Sequence, residues 1–205
     1  MNEEMTQPPS QAEARAALAE VDRIIDQTRR ALAQGPSAAL LILWGCIWLA
    51  ADVTTQFYPA AMQWLWWVLD GVGILGSWWI GACHGAKIKS PGAWRYGVFW
   101  LVLFAYAALW VCLLLPVNWP QTDLQWEHFE PVYRRITAYI HTIPMFAYVV
   151  GGLWLGRFFV WLGLLVTALI VVGLWFVPHY YYLWLGIAGG GSLIVAGVFI
   201  RKFWK

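Results

Sequence analysis

Charge is what this chain has least of. Asp, Glu, Lys and Arg together make up 12% of its residues, about half the share of an ordinary globular protein. The 13 basic and 11 acidic residues leave a net charge of only +2. That is too little to draw the chain onto a polyanion, so nucleic acid is excluded as a partner class. Cysteine is scarce as well: Cys46, Cys83 and Cys112 are an odd set without paired spacing, which excludes a disulfide framework. Metal-ligand spacing is missing too. The chain has no H-x-x-x-H or C-x-x-C, and Cys83-His84 offers two donors without the other two, so no metal and no cofactor are expected. No serine or cysteine nucleophile stands beside a base at matched depth, and no catalytic residue is expected. Residues 1–35 lack the apolar centre of a cleavable signal peptide, so the first span is expected to direct its own insertion.

What the chain has in abundance is apolar surface. Hydrophobic residues make up 61% of it, more than a water-soluble fold of this size has interior to hide. The expected fold class is therefore an all-α, polytopic membrane bundle of six transmembrane helices. An N-terminal cytoplasmic amphipathic segment (residues 1–35) precedes a membrane domain (36–205). The spans are expected at about 37–56, 60–83, 96–115, 132–156, 158–177 and 182–200, each near the length that crosses about 30 Å of hydrocarbon. Of the 13 Lys and Arg, all but Arg134 and Arg135 then fall on the side of the N-terminus. The positive-inside rule makes that side the cytoplasm, with both termini there and the inner membrane as location. Aromatic belts fit the same frame, with Phe57, Tyr58, Trp119 and Tyr180–Tyr182 outside and Trp78, Trp79, Trp94, Trp154 and Trp204 inside.

Residues 10–34 read as a capped helix. Ser10 and Glu13 match the S-x-x-E capping box. Leu18, Val21, Ile25, Thr28 and Leu32 recur at heptad spacing, and Gly35-Pro36 ends the pattern. This stripe could dock on the membrane domain, pair with a second copy, or meet a cytoplasmic protein; the bilayer is the other partner. In the outer loop, Asp123, Glu127 and Glu130 share one helical face and Trp126, Phe129 and Tyr133 another. A short helix in the outer interface is expected there, with Glu130 and Arg134 at ion-pair spacing. Topology also makes the second, fourth and sixth spans equivalent. Their glycine-bearing middles are expected to pack centrally as a weak internal repeat.

Ionisable groups inside the spans are the candidate functional residues. Asp70 lies near the bilayer midplane, where a carboxylate costs about 2.5–3.5 kcal/mol even on insertion scales. Either it is hydrogen-bonded to a neighbour at its own depth, with Tyr106, Tyr148, Thr167 and Ser192 as candidates, or it lines a wet cavity and carries protons. Asp52 and His141 lie higher, in the outer quarter of the first and fourth spans, where partial hydration is expected. Asp52 is expected to meet His141 or Arg135; with His141 it makes a pH-responsive pair, or simply an ion pair tying two helices together. Gly71 to Gly76 spell G-x-G-x-x-G, but a dinucleotide fingerprint needs a strand before it and water around it. Gly71, Gly152, Gly156, Gly186 and Gly190 are instead expected to let helices approach closely. The functional expectation is a non-enzymatic accessory or sensor subunit in the membrane; the alternative is a small-solute or proton-linked transporter using Asp70.

Overall fold

A computed structural model describes residues 10–34, 36–85, 93–114 and 123–203, and the regular structure among the described residues is entirely helical. In chain order the helices are α1 (Gln11–Gln34), α2 (Ser37–Phe57), α3 (Met62–Gly85), α4 (Ala93–Leu114), α5 (Asp123–Leu155), α6 (Arg157–Phe176) and α7 (Pro178–Phe203). Four stretches are long and apolar enough to cross a membrane: α2, residues Glu127–Leu153 of α5, α6 and α7. These four form the core of the molecule, while α3 packs on α2 and α4 on α5 from outside. The loop bearing Lys87 and Lys89, and Trp119 and Trp204 of the expected belts, lie outside the described residues.

Glycine determines how closely the core helices approach. Helices α2 and α7 run antiparallel, with Gly45 against Gly190, and a Cβ on Gly190 would stand 2.7 Å from the Gly45 carbonyl oxygen. Seven residues along, a Cβ on Gly197 would meet the Ala38 carbonyl, also at 2.7 Å. At the other end a Cβ on Gly186 would stand 3.2 Å from the Cβ of Asp52. The α5–α6 hairpin repeats the device. A Cβ on Gly152 would fall 2.5 Å from the Val160 amide nitrogen, and one on Gly163 2.7 Å from the Met145 carbonyl. In lipid no hydrophobic force separates helix from solvent, so such backbone contact supplies the association. Trp184 adds a polar tie, its indole N–H donating to the Leu169 carbonyl at 2.9 Å over Gly173. On the other flank Trp44 donates to Ser77 Oγ at 3.1 Å and so anchors α3 to α2.

Two of the five glycines expected at helix contacts are elsewhere. Gly71 faces open space. Gly156 forms the α5–α6 turn at φ 130°, a conformation that disfavours a side chain, with nothing near its missing Cβ. The expected repeat fails at α3 for the same reason: Trp67 is 81% exposed and Val68 53%, whereas Gly152 of α5 and Leu185, Gly186, Gly189 and Gly190 of α7 are buried. Nor do the described residues of the expected outer-interface helix form a helix of their own. The chain forms one helix of 33 residues from Asp123 to Leu155, with Pro131 and Pro144 inside it. Each proline forfeits one ladder bond, and the helix continues through both.

The last helix is not uniform. Residues Leu185–Gly190 form a π-helical segment between the α-helical turn Tyr181–Trp184 and the regular helix Gly191–Phe203. The segment lies against α2, opposite Asp52. At the N-terminus the capping box is formed: Ser10 N–H donates to Glu13 Oε2 at 2.7 Å, and Glu13 N–H to Ser10 Oγ at 3.3 Å. These bonds hold the Glu13 carboxyl below its ordinary range. Helix α1 touches α2 and the C-terminal half of α7 and leaves Leu18 and Val21 exposed.

Candidate functional site

Helix α2 presents Asp52 to the core one turn below Thr55, on the face that also carries Gly45 and Trp48. Helix α5 presents His141 one turn after Thr137, and both are buried. The two ionisable groups meet there, Asp52 Oδ2 standing 3.2 Å from His141 Nε2. Asp52 is 0% exposed and His141 1%. The two residues lie 89 positions apart in sequence, and their contact ties the first core helix, α2, to the second, α5.

The other ring nitrogen determines the chemistry. His141 Nδ1 stands 2.8 Å from the Thr137 carbonyl oxygen. A carbonyl only accepts, so Nδ1 must carry a proton. Nε2 can then face Asp52 in two ways: as a bare nitrogen accepting from a protonated carboxyl, or as N–H of an imidazolium donating to a carboxylate. Both arrangements contain one proton between the two atoms. Losing it sets a lone pair against a carboxylate oxygen at 3.2 Å and turns attraction into repulsion. Asp52 and His141 thus form a clamp that closes on a single proton.

The surroundings are aromatic. The Trp48 ring lies 4.2 Å from that of His141, centroid to centroid, and Trp66 meets its edge at 5.5 Å and 88°. Asp52 Oδ1 and the hydroxyls of Tyr181 and Tyr182 are buried without a hydrogen-bond partner. Groups left so cost about 1–3 kcal/mol each, a price that a fold retains where a proton, water or ligand must be accommodated.

Above this layer, between α2, α5 and α7, lies a polar cavity of about 220 Å³ lined by Thr55, Gln56, Pro59, Glu130, Arg134, Pro178, His179 and Tyr182. Arg134 spans it, pairing with Glu130 at 3.4 Å and donating to the Pro178 carbonyl at 2.9 Å. Gln56 bridges α2 to α7, donating to the His179 carbonyl at 3.1 Å and accepting from Leu183 N–H at 3.3 Å.

Asp52–His141, expected from depth, and Glu130–Arg134, expected from spacing, are both present. Arg135, the other basic residue at that depth, is exposed and takes no part. Partial hydration of the pair is overturned, because Trp48, Trp66 and the π segment close over it. Tyr181 (0% exposed) and Tyr182 (5%) are core residues and not interface aromatics; Phe57, Tyr58 and Tyr180 do lie at the surface. Asp70 is half-buried on α3 and forms no hydrogen bond to a described residue. The partners expected for it are engaged elsewhere. Tyr148 stacks on Phe159 at 6.0 Å, Tyr106 is 58% exposed, and Ser192 donates to its own helix at Ala188. Tyr106 and Thr167 line an apolar groove of about 500 Å³ between α4, α5 and α6. Thr137, Thr55 and Gln56 escaped the sequence reading; Thr137 had a legible signal, since its carbonyl precedes His141 by the four residues of a helical turn. Among the described residues no three His, Cys, Asp or Glu side chains group as metal ligands would. No protein-family model matches the chain, and no curated protein or solved structure is significantly similar to it.

Proposed function

We propose that this chain is a six-span inner-membrane protein with both termini in the cytoplasm, acting without catalysis as a proton-responsive accessory or sensor subunit. The observation that carries this reading is the sealed Asp52–His141 clamp. Helices α3 and α4, with 24 and 22 residues, measure about 36 and about 33 Å at the helical rise of 1.5 Å per residue, enough for the two further spans. The contact between α1 and the end of α7 supports both ends of the described chain lying on one face, and the Lys/Arg distribution favours the cytoplasm for that face.

A sensor needs two arrangements of nearly equal energy and a group whose occupancy favours one. The shared proton is that group, and the α2–α5 contact is what it holds closed. His141 meets Asp52 from α2 and lies within electrostatic reach of Asp70 from α3, Tyr181 and Tyr182 from α7 lie in the field of Asp52, and Arg134 and Glu130 stand two and three turns before His141 on α5 itself. Helix α1, with Leu18 and Val21 open, carries the signal to a cytoplasmic protein or a second copy. The test is a distance measured against pH in lipid, with spin labels on exposed positions of α2 and α5, Phe57 and Val132. The distance should grow as pH is raised from about 5 to about 9, across the range where histidine pairs exchange protons, and the change should vanish in Asp52→Asn. A separation that ignores pH refutes the reading.

A second reading, a proton-linked carrier, rests on Asp70, an intramembrane carboxylate within electrostatic reach of His141 and without a described hydrogen-bond partner. It requires that Asp70→Asn insert and fold normally but lose pH-dependent solute flux in proteoliposomes; equal flux in Asp70→Leu sinks it.

A further inference from the structure

The cavity above the clamp has polar groups of both signs left unsatisfied. Tyr182 lines it, is only 5% exposed, and has a hydroxyl with no partner. The Arg134 Nε–H, also buried, has none either; the same side chain spends Nη1 on Glu130 and Pro178. Two donors therefore lack an acceptor. Glu130 lacks a good donor in turn, because both of its oxygens reach Arg134 only at 3.4 and 3.5 Å, long for a charge-assisted bond.

We propose that this cavity binds a small zwitterionic group, an anionic oxygen cluster joined by a short linker to a primary ammonium. The oxygens accept from the Tyr182 hydroxyl and Arg134 Nε, and the ammonium donates to Glu130. Charge supports a ligand of both signs: Arg134 and Glu130 balance, so a simple anion meets Glu130 and a simple cation meets Arg134, whereas a zwitterion satisfies each. Size agrees. The cavity of about 220 Å³ has room for about seven waters at their liquid volume of about 30 Å³, which matches a solute of similar heavy-atom count. Its lining belongs to the turns beside the exposed Tyr58 and Tyr180, the level at which interfacial aromatics meet lipid headgroups. The same chemistry is offered by an ethanolamine phospholipid headgroup and by free small zwitterions.

The experiment has a lipid arm and a soluble arm, both on the full chain. The protein is reconstituted in phosphatidylcholine nanodiscs with and without phosphatidylethanolamine, and thermal unfolding is followed. In the second arm O-phosphoethanolamine is titrated calorimetrically into the phosphatidylcholine sample. Stabilisation in the lipid arm alone identifies the headgroup, and heat in the soluble arm identifies a free zwitterion. Either supports the site. Tyr182→Phe, which removes one oxygen and keeps the ring, should weaken the responding arm about tenfold, the loss of one buried hydrogen bond. Glu130→Gln should abolish the preference for ethanolamine over choline phosphate. No response in either arm overturns the proposal. So does a response that both Tyr182→Phe and Glu130→Gln leave unchanged while unfolding at the parent temperature.

Discussion

Removing both members of the Asp52–His141 pair should destabilise the fold by less than the sum of the two single removals. In His141→Leu the Asp52 carboxyl stays at 0% exposure with Oδ2 joining the already unpartnered Oδ1. A buried group stripped of its partner costs about 3–5 kcal/mol, and protonation of the stranded carboxyl sets the lower end. Asp52→Leu strands only a neutral Nε2 and keeps the Nδ1 bond to Thr137, so about 1–3 kcal/mol is expected. The double variant Asp52→Leu/His141→Leu leaves no orphan at either position, and its loss should not exceed that of His141→Leu alone. The coupling energy between the two sites is then at least about 1 kcal/mol, outside the scatter of about 0.5 kcal/mol seen for independent sites. Reversible unfolding in mixed detergent micelles measures all four corners of this cycle. Losses that simply add would mean that the two groups do not sense each other, and the clamp would have to be abandoned.

The glycine contacts predict a sharp contrast between two substitutions of equal size. Gly190→Ala drives a methyl to 2.7 Å from the Gly45 carbonyl and should cost about 1–3 kcal/mol as α2 and α7 separate, whereas Gly71→Ala, pointing into open space, should be neutral or slightly stabilising by the same unfolding assay. At the N-terminus, the Glu13 carboxyl is held below its ordinary value of 4.5 by its bonds to Ser10. A depressed carboxyl lends stability above its unfolded pKa and loses it as pH falls through the folded one. Amide exchange in the first turn of α1 should therefore speed up beyond the intrinsic trend between about pH 5 and about pH 3, and Glu13→Gln should remove that excess. An unchanged excess in Glu13→Gln would exclude the capping box as its source.

Depth along a span was the most readable quantity in this sequence. Counting from the loop ends placed Asp52 and His141 at one level, and there they meet. Counting could not say that they would be sealed, because sealing comes from Trp48, Trp66 and the packing of α7. Tyr180, Tyr181 and Tyr182 look alike as a string; the short helical turn that starts at Tyr181 sends two of the rings inward and one out. Glycine content marked α7 as a packing helix, but which glycines make contact follows from the seven-residue steps Ala38–Gly45–Asp52 and Gly190–Gly197. That step is present in the sequence, yet becomes meaningful only once α2 and α7 are known to be neighbours. The π segment has no comparable signature. Pro131 reads as a boundary, and α5 passes through it because one lost ladder bond is a small fraction of those that a helix of 33 residues retains.

Nitrogen NMR of the histidine side chains in lipid tests the clamp most directly. The chain has four histidines, and His141→Gln assigns the one that matters. The account predicts a proton on Nδ1 throughout, bonded to Thr137, and an Nε2 resonance that shifts on Asp52→Asn. A neutral ring protonated at Nε2 with a bare Nδ1, or an Nε2 signal indifferent to Asp52→Asn, would contradict it.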